Sequence, residues 1–87
     1  MKMIIIIVKD QDADALTRAF TDGHFRVTRI ASTSGFLRSG IVTLLLGVEA
    51  KQVDDAIRLA RNTFPGGEAG GKRATLFVVP VERFEQI

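Results

Sequence analysis

One histidine, His24, and no cysteine stand in this 87-residue sequence. A tetrahedral zinc site needs several such ligands, so that chemistry is out of reach. Any Ser/His/acid relay would have to run through His24, and no nucleophile-elbow motif supports one. His24 reads more simply as a polar residue near the surface at the start of a strand. Neither a G-x-G-x-x-G nor a complete G-x-x-x-x-G-K-[ST] pattern occurs, which removes two phosphate cradles readable from sequence. Asp10 and Asp12 remain as an acidic pair. Standing between an apolar run and an amphipathic stretch, they are expected to act as N-cap oxygens for a helix, not as an acid–base couple. No catalytic residue is assigned, and no metal ligand or cofactor.

Two polar features ask for more. From His24 to Ser32 the residues alternate: Phe25, Val27, Arg29 and Ala31 fall on one side of an extended chain, and His24, Arg26, Thr28 and Ile30 on the other. The first set holds the bulkier apolar anchors and is expected to meet helices. The second puts Arg26 and Thr28 together on the opposite face. A guanidinium on a buried face is costly unless it meets an anion; a phosphate would take it bidentately, with the Thr28 hydroxyl alongside. A solvated strand edge with a screened charge explains the pattern equally well. The second feature is the polar stretch from Thr33 to Gly40, which contains Gly35, Phe36 and Leu37. Glycine allows close backbone approach. The two large apolar groups could clamp a flat aromatic base or fold back onto the core.

These residues need a frame to hold them. Met3–Val8 is a continuous apolar run and predicts a strand buried on both faces. Ala13, Leu16, Ala19 and Phe20 follow at helical spacing, and Gly23 offers a left-handed stop. Residues 24–32 predict the second strand and residues 41–48 the third. A second helix opens at Glu49-Ala50-Lys51-Gln52, with Val53, Ala56, Ile57, Ala60 and Phe64 as its stripe and Asp54–Arg58 as an i,i+4 pair. Pro65 and two glycines end it. Residues 66–72 hold four glycines and are expected to be mobile. Residues 74–79 predict the fourth strand, ended by Pro80, and 81–87 a short tail. The order β-α-β-β-α-β is the ferredoxin-like plan, an α+β fold: a four-stranded antiparallel sheet with both helices on one face, in a single domain spanning residues 1–87.

That plan leaves an imbalance. Most of the strands are apolar on both sides, yet two helices cover only one. Each aliphatic side chain left in water forgoes roughly 1.5–3 kcal/mol, so the second face is expected to pack against identical subunits. With 12 basic and 10 acidic residues scattered along the chain and a net charge of +2, no basic cluster points to nucleic acid. The N-terminal apolar run is too short for a membrane span and meets Lys9-Asp10 at once, so neither membrane insertion nor secretion is expected. A cytoplasmic protein is the expectation.

The opening Met1-Lys2-Met3-Ile4-Ile5 leading to Val8-x-Asp10-Gln11-Asp12 begins a longer pattern. Phe25-Arg26-Val27-Thr28, then Thr33-x-Gly35-Phe36-Leu37-Arg38-x-Gly40, then Gly47-Val48-Glu49 continue it. Ala74-Thr75-x-Phe77-Val78 and Val81-Glu82-x-Phe84-x-Gln86 close it. Together they resemble the PII-like cyclic-di-AMP receptor family. The resemblance implies a PII-like homotrimer with a ligand in each cleft between subunits. It also implies a non-enzymatic signalling role: binding cyclic-di-AMP, or a related adenine nucleotide, and regulating an unidentified protein target. By position, ligand contacts would fall on Arg26, Val27, Thr28, Gly35, Phe36, Leu37, Gly47, Phe77 and Gln86. Arg26 and Thr28 would face phosphate and ribose. Phe36, Leu37 and Phe77 would enclose a base, Gly47 would leave room for it, and Gln86 would come from the tail.

Ile41-Val42-Thr43 stands where the family pattern reads Asn-Thr-Thr, His24 where Asn is common, and the segment 65–72 is short for the family. A second reading follows from Ile41: the same trimer as an interaction module, its cleft filled by the aliphatic side chain and empty of small ligands.

Overall fold

A computed structural model of the chain describes residues 1–31, 40–64 and 73–87. Its elements run β1 (Lys2–Lys9), α1 (Asp10–Asp22), β2 (Val27–Ala31), β3 (Ile41–Val48), a 3-10 turn (Ala50–Gln52), α2 (Val53–Thr63) and β4 (Ala74–Pro80). The strands form one sheet in the order β2-β3-β1-β4 with every pair antiparallel. This is the ferredoxin-like βαββαβ arrangement that the alternation of elements predicts.

Alternation within the strands decides what is buried. Ile4, Ile6 and Val8 of β1 pair in register with Leu46, Leu44 and Val42 of β3, and all six are buried. Ala13, Leu16 and Phe20 from α1 and Ala56 and Ala60 from α2 complete this core. Small alanines on α2 let that helix sit close. Strand β4 extends the same surface with Ala74 and Leu76, and β2 with Val27. Phe25 leads into β2 with its ring edge-on to Phe20, centroids 6.0 Å apart.

Several local expectations need correction. Asp10 and Asp12 do not cap α1; they lie within its first turn, and Lys9 occupies the N-cap with no side-chain hydrogen bond. Asp12 is buried and binds Arg73, 61 residues later, through Nη2 at 2.9 Å and Nε at 3.3 Å. That guanidinium also lies 4.6 Å over the Phe64 ring, and its hydrogen bond to Asp12 holds its pKa above the ordinary arginine value. Gly23 is not left-handed: its φ is −83°, and His24 takes the positive angle, 68°. A Cβ at position 23 would stand 2.8 Å from Leu59 Cδ1, so a larger residue there requires that flexible side chain to shift. Arg58 pairs with Asp55 at i,i+3, not with Asp54. The second strand begins at Val27, later than the alternation suggests.

Glu49 and Gln52 form a reciprocal capping box at the 3-10 turn, which explains the abrupt change from β3 to helix. Gly40, with φ 86°, turns the chain into β3, and its carbonyl accepts a 2.5 Å hydrogen bond from the Asp10 backbone N–H. The expected loop mobility at 66–72, and Gly35, Phe36 and Leu37, lie outside the described residues.

Candidate functional site

Among the described residues, the face away from the helices is the part of the sheet left without a partner. Its rows can be read from the strand register. Thr28, Leu45, Ile5 and Phe77 form one row across all four strands, and Ile30, Thr43, Ile7 and Thr75 the next. Met3 lies between Gly47 and Val79 in a third row. Central Ile5, Ile7 and Leu45 are half-buried by their own neighbours, while Ile30 is 49% and Phe77 51% exposed at the two edges. An apolar surface thus runs from one edge strand to the other.

One polar interruption sits at one corner. Thr28 lies on β2 opposite Leu45, and carrying that register back two residues, one beyond the start of the strand, puts the exposed Arg26 across from Gly47. A Cβ at Gly47 would meet nothing within 4 Å, so the missing side chain leaves open space above the sheet beside Arg26 and Thr28. Three of the residues singled out by sequence therefore share one patch. Phe77 does not join them. It occupies the opposite edge of the same row, three strand spacings from Thr28, or roughly 14 Å. Val27 turns to the helix side, opposite buried Leu46, so only its backbone can contribute to this face. Gln86 is exposed in the irregular tail after β4.

Ile41 stands on the same face, opposite Lys9 at the far end of β3. Gly47 lies six positions further along, about 20 Å of strand. It does not fill the space over Gly47 in its own chain.

Below β2 the charges are arranged differently. Arg29 reaches over the start of α1, donating to Asp14 at 2.5 Å and to Asp10 at 3.3 Å. The hydrogen bond and charge of Arg29 hold the Asp14 carboxyl below its ordinary value, and the same hydrogen bond raises Arg29. Sequence reasoning put Arg29 on the helix side but missed these partners, although Asp10 and Asp14 are spaced i,i+4 on one helix flank. Among the described residues no helix is long and apolar enough to cross a membrane.

The geometry defines a class: a ferredoxin-like domain with a bare apolar sheet face and an arginine–threonine–glycine corner suited to holding an anion. Residues 1–65 match the family model for the cyclic-di-AMP receptor, and the chain belongs to that family. The matched stretch ends at Pro65, so β4, Phe77 and Gln86 lie beyond it. Along nearly its whole length the chain is also similar to a protein of unknown function from Pediococcus pentosaceus ATCC 25745, known from a crystal structure. The two are 33% identical with a TM-score of 0.75, over 99% of this chain and 96% of that one.

Proposed function

We propose that this protein is a non-enzymatic, cytoplasmic sensor of cyclic-di-AMP, or of a related adenine nucleotide, that works as a homotrimer. The observation that carries this reading is the split of the candidate site across the sheet. Arg26, Thr28 and Gly47 lie at one edge and Phe77 at the other, with only Leu45 and Ile5 between them in the row. A ligand lying across a single subunit would set its phosphates over those aliphatic side chains, where nothing replaces lost water. A neighbouring subunit that brings its own β4 edge beside the first subunit's β2 edge removes the conflict. One copy then supplies the phosphate contacts and the next supplies an aromatic face for a base.

In that arrangement Arg26 donates two parallel hydrogen bonds to a phosphate and Thr28 adds its hydroxyl. The surrounding apolar surface lowers the local dielectric, so each contact counts for more than it would in water. Gly47 leaves room, and Phe77 stacks. Gly35, Phe36 and Leu37 complete the enclosure from the 33–40 stretch and Gln86 from the tail. Contacts made only in the bound state bias the trimer, and a protein target reads that difference.

Calorimetry with cyclic-di-AMP, ATP and ADP tests the proposal, with Arg26→Ala as control. Saturable binding of at least one nucleotide is expected, weakened tenfold or more in the variant. Absence of heat and of thermal shift with every nucleotide would sink the sensor reading. Native mass spectrometry showing a stable monomer would overturn the trimer.

A further inference from the structure

Strand β2 contradicts the rule that buries the rest of the sheet. It places Arg29 on the helix side and leaves Ile30 49% exposed on the open face. Phe25 and Val27 favour this arrangement, but in the second half of the strand Arg29 on the helix side and Ile30 on the open face oppose it. A one-residue slip would exchange the two sets, burying Ile30 and turning Thr28 away from the open face. As an edge strand, β2 is held by β3 on one side only. Phe25 against Phe20 fixes the entry to the strand. Beyond Val27, the polar contacts seen on the helix side are those of Arg29 with Asp10 and Asp14.

The geometry points to Arg29 as a positioning residue: its grip on Asp10 and Asp14 sets the register of the second half of β2 and so turns Thr28 toward the ligand corner and Ile30 toward the neighbouring subunit. The contact is well made for that task. Asp10 and Asp14 stand one helical turn apart, so a planar guanidinium bridging both is fixed in direction as well as in distance. Both carboxylates are mostly solvated, with 66% and 78% of their side chains exposed. They therefore have little need of Arg29, and the pair matters for which way the strand faces more than for how tightly the domain holds. A polar contact that selects register at little gain in stability is a known use of charged groups near a core. The part of this inference that concerns ligand affinity rests on the proposed sensor function; the part that concerns register does not.

The decisive comparison is between Arg29→Gln and Arg29→Leu. Glutamine removes the ion pairs without adding apolar surface. It is expected to give two sets of amide signals for residues 28–30 by NMR, to weaken the cross-strand contact between Thr28 and Leu45, and to lower cyclic-di-AMP affinity about three- to tenfold. Leucine also removes the ion pairs but makes the helix side plainly the apolar one. It is expected to show one set of signals with the Thr28–Leu45 contact intact and affinity within twofold of wild type. Asp10→Asn/Asp14→Asn, which leaves Arg29 in place, should behave like the glutamine variant. A glutamine variant with a single signal set and the native Thr28–Leu45 contact overturns the proposal. So does a leucine variant as disturbed as the glutamine one. If wild-type protein binds no nucleotide, the sensor reading fails while the NMR comparison still decides the register.

Discussion

On the helix-covered face of the sheet Ile4, Ile6, Leu44 and Leu46 are fully buried, whereas their strand neighbours Ile5, Ile7 and Leu45 on the open face are only half-buried. The side chains are of the same kinds and come from the same two strands. What differs is the partner. Helices built around Ala13, Leu16, Phe20, Ala56 and Ala60 close one side; among the described residues nothing closes the other. A face that is covered within one chain contributes to stability at any concentration. A face that waits for another molecule contributes only when that molecule arrives. The residues proposed for binding, Arg26, Thr28, Gly47 and Phe77, are found on the second kind.

Mutations should separate the two faces sharply. Leu44→Ala, under the helices, is expected to cost about 2–5 kcal/mol in urea unfolding, a large share of the roughly 5–15 kcal/mol available to a domain. A cost under about 1 kcal/mol would break the distinction at once. Leu45→Asp, one residue along and on the open face, is expected to leave a folded protein that sediments as a monomer. If it unfolds instead, the open face belongs to the chain's own core. Gly47→Val sits on the same face and should abolish nucleotide binding without a change in helical circular dichroism, since the space above it is empty in the subunit.

A weaker effect tests the charges beneath β2. The Asp14 carboxyl is held below its ordinary 3.8 by Arg29. Its folded pKa is thus lower than its unfolded one, so the stabilisation is present above pH 3.8 and disappears as pH falls through the lowered value. Asp14→Asn should accordingly be less stable than wild type at pH 7 and pH 5, and the gap should close toward pH 2; a gap independent of pH would assign the effect to something other than charge. Smallest of all, Arg58→Ala removes an exposed i,i+3 pair far from either face and should cost about 0.3 kcal/mol by the same unfolding measurement.

Much of the fold was legible in local pattern. Strand β3 spans 41–48 as expected because Gly40 and Glu49 bracket a mostly apolar run, and the stripes of both helices follow from spacing alone. Legibility failed where a residue's partner lies far off in sequence or where two local choices are equivalent. Asp12 reads as a cap until Arg73 arrives across 61 residues to bury it. Asp54 and Asp55 both lie within reach of Arg58, and only side-chain geometry selects Asp55. In the site, alternation alone put Arg26 and Thr28 on one face. That Phe77 lies at the opposite edge follows from strand order, which no single segment contains.

Strand β1 has a consequence for how the protein is made. It is made before its partners in the sheet, yet it occupies the middle, and its flanking partners β3 and β4 are finished only at Val48 and Pro80. At ordinary synthesis rates the run Met3–Val8 waits several seconds before both its edges are paired. Six consecutive apolar residues without proline are the kind of segment that pairs with copies of itself. Lys2 at one end and Lys9-Asp10 at the other are the charges that flank it during that interval. Neutralising the two lysines should leave the finished sheet almost unchanged and reduce the yield of chains that reach it.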